Sequence, residues 1–161
     1  MTRKVWTMDS RNLPIETLSF DDCWELLAND TVGRLAIVVD EHPEIFPVNY
    51  VIHLRSVVFR TAPGSKLWGA RMERPAALEI DGYEPSSETA WSVVVRGDTE
   101  IIEDQAVKDA VDGLGLEPWQ PGEKANYVRL TAKAMTGRRF QVNRPDIWNT
   151  RLQDRRRASF E

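Results

Sequence analysis

The segment from Gly33 to Thr61 is the feature that most constrains the fold of this 161-residue chain. It contains three runs of β-branched and aromatic residues, RLAIVV, EIFPVNYVI and VVFRT, separated by DEHP and by the short LRS link. Parallel neighbours need a crossover of about a dozen residues, whereas antiparallel strands can be joined by a short turn. The segment therefore predicts three consecutive antiparallel strands.

The second of these strands predicts a sheet that is covered on both faces. Its apolar side chains fall on both parities, whereas a strand with one wet face would alternate with polar residues. Two further strands are predicted at 76–83 (AALEIDGY) and 91–102 (WSVVVRGDTEII), split by a loop rich in turn formers. This pattern is typical of a closed antiparallel barrel.

The remaining segments predict short helices and one or two more strands. Ser19 to Asn29 has the capping residues and apolar spacing of an amphipathic helix, in which Cys23 points inward and is assigned no chemistry. A second helix is predicted from Asp104 to Leu114. Tyr127 to Ala134 reads as a half-buried strand, and Thr136 to Val142 as a separate strand that returns beside it. With no βαβ alternation, the expected fold is mainly β with short helices.

The composition excludes several classes of protein. Hydrophobic residues make up 42% of the chain and charged residues 29%, which excludes wholesale disorder and fibrous repeats. The net charge of -4 argues against bulk electrostatic binding to nucleic acid or membranes. Cys23 is the single cysteine, and His42 and His53 are the only histidines, so no metal site is expected. We therefore expect the chemistry to come from a cofactor.

The two ends of the sequence bear on location and domain organisation. The first residues lack a signal-peptide pattern and no apolar run approaches about 18 residues, so a cytoplasmic location is predicted. Seven arginines lie between Arg138 and Arg157. We expect one domain over residues 1–142 and a basic tail over 143–161 that is solvated or docks on a partner subunit. A phosphate or nucleic-acid contact by this tail is the alternative.

The stretch from Phe59 to Lys66 carries the strongest chemical signal. A strand ending in Arg60 and Thr61 runs into a Pro-Gly turn, which delivers Ser65 and Lys66 to the start of a helix predicted to continue to about residue 72. A guanidinium, two hydroxyls, an ammonium and free helix amides then converge, as a phosphate dianion requires. The alternative is an ordinary capped strand-to-helix turn with an exposed lysine.

The order of these segments resembles the pyridoxamine 5′-phosphate oxidase-like, FMN-binding split-barrel family. The resemblance covers roughly residues 15–142 and includes the motifs PEIFPVNYV, VVFRTAPGSKL, ALEIDGY, WSVVVRG and the TGRR strand. It implies a six-stranded antiparallel split β-barrel with peripheral helices. It also implies an obligate homodimer with two flavin sites, each built by both subunits at the interface.

The resemblance assigns site residues to this chain. Val48, Asn49 and Tyr50 match the strand whose backbone contacts the flavin ring edge, and Arg60 and Thr61 match the pair that ends the next strand. Ser65 and Lys66 match the phosphate-binding turn, while Trp91 and Ser92 match positions that reach across from the second subunit. The competing interpretation places Tyr50 and Trp91 in the core and makes Asn49 a turn or strand-edge residue. Glu79 and Asp81 either line the pocket or are solvated.

One departure from the family leaves the substrate open. Pyridoxamine-phosphate oxidases carry a C-terminal Arg-x-His pair, whereas the nearest string here, from Arg151 to Arg155, has Gln153 at the histidine position. We expect an FMN-dependent oxidoreductase acting on a small molecule, with no residue assigned as catalytic acid or base. The alternatives are a reductase that uses the deazaflavin F420, and a non-catalytic flavin or haem carrier in which His53 would bind iron. Neither a nucleic-acid nor a membrane partner is expected.

Overall fold

Antiparallel pairing of long strands dominates the computed structural model, which describes residues 15–62, 64, 75–117 and 124–142. The elements are β1 (Glu16–Thr17), α1 (Phe20–Asn29), β2 (Val32–Val39), β3 (His42–His53), β4 (Ser56–Thr61), β5 (Pro75–Glu84), β6 (Thr89–Ile102), α2 (Gln105–Asp112) and β7 (Asn126–Gln141). The five strands predicted up to Ile102 and both helices predicted in the described region are therefore present.

Six of the strands close into a ring. Neighbours follow the order β7, β4, β3, β2, β5, β6, and β6 pairs again with β7. The short strand β1 adds to the free side of β7 at Arg138 and Arg139. The predicted mainly β fold, an antiparallel six-stranded split barrel with peripheral helices, is confirmed.

Two-residue turns connect β2 to β3 and β3 to β4. Asp40 and Glu41 have φ values of 48° and 65°, and Leu54 and Arg55 have values of 48° and 55°. Positive φ at both central residues defines a type I′ turn, whose twist matches that of the strands it joins. His42 and Pro43, which belong to the DEHP segment predicted to separate the first two strands, instead begin β3.

The prediction of two strands after Tyr127 is wrong, because β7 is one continuous strand of 16 residues. Its first half pairs with β4, and nearly its whole length pairs with β6. The register with β6 shifts between Arg96 and Gly97, so that Lys133 is the extra residue of a β-bulge. A bulge bends its strand, and this bend allows β7 to pair with both β4 and β6 without an intervening turn.

Helix α1 packs against the barrel core. Ser19 and Asp22 form a capping box at its start, and the helix buries Cys23, Trp24 and Leu27. Burial raises the pKa of the Cys23 thiol, in line with a structural role. The barrel interior is filled by apolar side chains including Leu35, Phe59, Leu78, Ile80, Val93, Val95 and Leu130. The predicted inward face of this helix is confirmed.

A second, smaller cluster lies under α2. Val111 of the helix joins Val58, Ile102, Leu116 and Tyr127 in this cluster. Helix α2 thus covers the outer face of β4 at its junction with β7. Within the described part of the chain, no helix is long and apolar enough to cross a membrane.

Three sequence predictions lie outside the described residues. They are the phosphate-binding pair Ser65 and Lys66, the helix predicted after it, and the basic tail at 143–161. The division into a domain over 1–142 and a tail therefore stays a prediction.

The exposed turn residue Leu54 gives a test of the hairpin geometry. Its side chain is 85% exposed at a φ of 48°, and a left-handed residue other than Gly or Asn is strained. We expect Leu54→Asn to raise the free energy of unfolding by about 0.5–1 kcal/mol, measured by urea denaturation. Leu114→Asn, at an exposed leucine without positive φ, is the control and should give no gain. Equal effects of the two variants would contradict the argument.

Candidate functional site

The barrel opens where β3 and β4 part. Their ladder runs from His53 opposite Ser56 to Tyr50 opposite Phe59. Beyond that pair, β3 continues along β2, while Arg60 and Thr61 of β4 pair with Tyr127 and Asn126 of β7. The two strands therefore diverge at this point. The predicted residues Val48, Asn49, Arg60 and Thr61 lie at the resulting opening.

Arg60 is a cation held in place at this opening. Its Nε donates a hydrogen bond to the Lys124 carbonyl at 2.9 Å, and its guanidinium carbon lies 4.8 Å from the centre of the Tyr127 ring. None of the described carboxylates forms an ion pair with it. A half-buried guanidinium that is fixed through Nε can direct its remaining N–H groups at an anion.

Tyr127 positions Arg60 and was missed by the sequence analysis as a functional residue. Its hydroxyl donates to an Asp112 carboxylate oxygen at 2.7 Å, which ties the ring to α2. Burial, followed by this hydrogen bond, raises the pKa of Tyr127, so the phenol stays protonated. Only the register of β4 against β7 puts this ring opposite Arg60, and that register cannot be read from local sequence.

Thr61 and Gly64 are the other predicted features described at the end of β4. Thr61 is buried, and its hydroxyl donates to the Ala62 carbonyl at 3.2 Å. Gly64 follows with a φ of 149°, a conformation that favours glycine. Gly64 is the described residue of the predicted Pro-Gly turn, and its backbone conformation agrees with the choice of glycine there.

Tyr50 has a structural side chain. Its ring is 1% exposed, and its hydroxyl donates to the Leu27 carbonyl of α1 at 2.8 Å. Burial raises the pKa of Tyr50 well above its ordinary value. Val48 also points into the core. The side chains at these two positions are therefore not available to a ligand in the opening, and the Tyr50 amide already donates a hydrogen bond to the Thr31 carbonyl.

Asn49 and Arg60 share the outer side of the sheet. Tyr50 and Phe59 face each other across the ladder and both point inward. Because side chains alternate along a strand, Asn49 and Arg60, one residue further on, both point outward at the point of divergence. The opening therefore combines an amide, a guanidinium and the edge of β3.

Trp91 and Ser92 lie on the opposite wall of the barrel. They belong to β6, which is three strands away from β3 in either direction around the ring. The Trp91 ring lies over Gly82, where it occupies the space of an absent side chain, and packs partly buried against the core. Ser92 faces outward, opposite both Asp81 and Arg138. Within one chain these two residues cannot reach the opening.

An ion-pair cluster occupies the same outer face as Ser92. One Arg34 nitrogen lies 2.7 Å from Glu79 and 2.6 Å from Asp81. Hydrogen bonds to Asp81 and then Glu79 raise the pKa of Arg34. The Glu79 and Asp81 side chains remain 33% and 53% exposed, so these acids belong to a solvent-exposed ion-pair cluster, in line with the interpretation that they are solvated.

The described residues contain no group of three or more side chains able to hold a metal ion. His53 lies at the end of the β3–β4 ladder remote from the opening, and its Nδ1 is buried without a hydrogen-bond partner. A cavity of about 530 Å³ also lies on the outer face, lined by small apolar residues such as Ala36, Ala77 and Pro75 together with Arg96. None of the predicted site residues in the described part of the chain lines this cavity.

Comparison with known proteins gives one matching family model and several similar chains. The model, described as pyridoxamine 5′-phosphate oxidase, matches residues 19–139. An uncharacterized protein of Mycobacterium tuberculosis (strain H37Rv) is 32% identical over 87 residues, covering 54% of this chain and 77% of the relative.

Two solved structures from Mycobacterium smegmatis illustrate the structural similarity. An FAD-binding protein has a TM-score of 0.67 and 37% identity over 78% of this chain and 100% of its own. An FAD- and haem-binding protein has a TM-score of 0.62 over 83% of this chain and 77% of its own, but its 18% identity shows the fold alone. Because the matching family model spans α1, the barrel strands and the opening between β3 and β4, the chain belongs to the pyridoxamine 5′-phosphate oxidase-like family.

Proposed function

We propose that this protein is an FMN-dependent oxidoreductase that works as a homodimer, with each flavin bound between two copies. The observation that carries the proposal is the placement of the two groups of predicted ligands on opposite walls of one barrel. A single flavin can contact both groups only where the opening of one copy meets the β6 face of another. Each site would then combine Asn49, Arg60 and Thr61 of one subunit with Ser92 of its partner.

The chemistry at the end of β4 fits a phosphate group. Arg60 is anchored through Nε and by stacking on Tyr127, so little side-chain entropy remains to be lost when an anion binds. Lys66 and the hydroxyl of Ser65 follow within a few residues of the Gly64 turn. We assign the phosphate of the flavin to this group of residues.

The divergence of β3 and β4 fits the flavin ring. A flavin presents hydrogen-bond donors and acceptors along its pyrimidine edge, and a strand edge offers complementary backbone groups. When bound, the flavin supplies hydride or electron transfer at its N5 atom. The protein's part is to orient the ring, hold the phosphate and exclude water. The Tyr50 hydroxyl is bonded to Leu27 and buried, so we assign it no proton transfer.

The outer face of the barrel supports a dimer. Val38 and Ile45 are 45% and 67% exposed on this face, next to the apolar cavity lined by Ala36 and Ala77. An apolar sheet face of this kind is commonly covered by a partner. We propose that a second copy covers it, which would bring the partner's β6 toward the opening.

FAD is a second candidate cofactor. The M. smegmatis protein with 37% identity is an FAD-binding protein. Arg60 could bind the FAD phosphate that is attached to the riboflavin part as well as it could bind the phosphate of FMN. Heat denaturation followed by chromatography of the released cofactor distinguishes FMN from FAD. The absorbance spectrum separates both from haem, which shows a Soret band, and from the deazaflavin F420.

The dimer is tested by light scattering. We expect a mass of twice 18.4 kDa at micromolar concentration. Ile45→Glu places a charge on the proposed interface and should shift the protein toward monomer. Leu54→Glu, at an exposed leucine in the β3–β4 turn, is the control and should remain dimeric. A monomeric wild-type protein, or equal effects of the two variants, would contradict the proposed interface.

The phosphate site is tested by comparing FMN with riboflavin, which lacks the phosphate. Charged hydrogen bonds contribute about 1.5–3 kcal/mol, so Arg60→Ala and Lys66→Ala should each weaken FMN binding about ten- to a hundred-fold. Riboflavin affinity should change little, as measured by fluorescence titration. Arg129→Ala, which removes an arginine paired with Glu100, is the control and should change neither. If the variants lose FMN and riboflavin equally, the phosphate assignment is wrong.

A further inference from the structure

A second group of polar and aromatic residues surrounds Ser92 on the outer face. Ser92 lies opposite Asp81 on one side and Arg138 on the other. Two residues before Ser92 on β6, Ala90 lies between Tyr83 of β5 and Phe140 of β7. All these side chains point to the same side of the sheet, because each pair is separated by two residues along its strand. We call Tyr83, Ser92, Arg138 and Phe140 the arginine–aromatic surface.

Arg138 differs from most of the described arginines of the barrel because its side chain forms no ion pair. Arg34, Arg129 and Arg139 each form an ion pair with a carboxylate. The Arg138 side chain is exposed, and its guanidinium forms no hydrogen bond or ion pair with any described residue. The neighbouring acid, Asp81, is bonded to Arg34. A guanidinium placed beside a serine hydroxyl, with no carboxylate partner of its own, can bind an oxyanion.

The two aromatic residues add a surface for a ring. Tyr83 and Phe140 are each 39% exposed, and only the small Ala90 lies between them. Strands are spaced about 4.8 Å apart, so the backbones of Tyr83 and Phe140 are about 10 Å apart. That spacing leaves room for a planar ring over Ala90, in contact with either aromatic side chain. Arg138 is two residues, or about 7 Å, from Phe140 along the same strand.

We propose that the arginine–aromatic surface binds the substrate, and that this substrate is a planar aromatic molecule carrying a carboxylate. Arg138 binds the carboxylate, Ser92 donates a hydrogen bond to it, and Tyr83 and Phe140 contact the ring. The inference rests on the proposed function, because the Ser92 face is the one that meets the flavin of the partner. Arg138 is thus a substrate-positioning residue and not a ligand of the flavin phosphate.

Arg96 provides a matched control on the same strand face. It too is exposed and has no described ion-pair partner, but its cross-strand neighbours are Ala77 and Ala134. The surface around it, which borders the cavity on the proposed dimer face, therefore has a cation without aromatic side chains. Light scattering checks that Arg96→Ala keeps the oligomeric state of the wild type. If charge alone recruited aromatic acids, Arg96 and Arg138 would contribute equally.

The experiment titrates 2-naphthoate, a planar aromatic carboxylate, into the full-length protein before and after flavin loading, with isothermal titration calorimetry as the readout. We expect Arg138→Ala to weaken 2-naphthoate binding about ten-fold or more, Arg138→Lys to weaken it less, and Arg96→Ala to leave it unchanged. The neutral analogue 2-naphthylmethanol should not distinguish wild type from Arg138→Ala. No binding to the wild-type protein, or an equal loss in Arg96→Ala, would overturn the proposal.

Flavin affinity of the same variants separates this proposal from the proposed function. Arg138→Ala should bind FMN within a few-fold of wild type. A large loss of FMN affinity would make Arg138 part of the flavin site and overturn the substrate assignment, while leaving the flavin proposal intact. If wild-type protein binds no flavin but Arg138 still governs 2-naphthoate binding, the proposed function fails and the aromatic-acid surface stands.

Discussion

The fold depends on the ability of one strand, β7, to pair with two neighbours and so close the sheet. Closure requires the backbones of β6 and β7 to approach closely at the bulge, where a Cβ on Gly97 would collide with the Thr131 carbonyl. Glycine is therefore required there by close approach. Closing the ring also removes the long free edges that an open sheet would expose.

Closure fixes where each chemical group can lie. It brings Tyr127 of β7 opposite Arg60 of β4, so that the Arg60 guanidinium stacks on the Tyr127 ring. The same closure places β6 on the side of the barrel opposite the opening, which separates Ser92 from Arg60. In the proposed function these two groups are halves of one site, which a symmetric pair of barrels would join.

Local sequence predicted the elements that depend on short-range physics. The capping box of α1, its inward Cys23 and the strands from 33 to 102 all follow from periodicity and turn chemistry. The continuity of β7 was missed, because a bulge at Lys133 interrupts the alternation much as a strand end does. The support of Arg60 by Tyr127 and the pairing of Arg34 with Glu79 and Asp81 depend on long-range register. A single sequence holds no local signal for such contacts.

The hydrogen bond from Tyr50 to Leu27 joins the last turn of α1 to the strand beside the opening. Amide protons open to solvent exchange in cooperative units, and elements tied by buried contacts exchange together. Helix α1 and the middle of β3 therefore belong to one such unit, although α1 itself contributes no side chain to the opening. Any event that loosens the helix, such as loss of its N-terminal cap, would therefore increase the mobility of the backbone at the opening between β3 and β4.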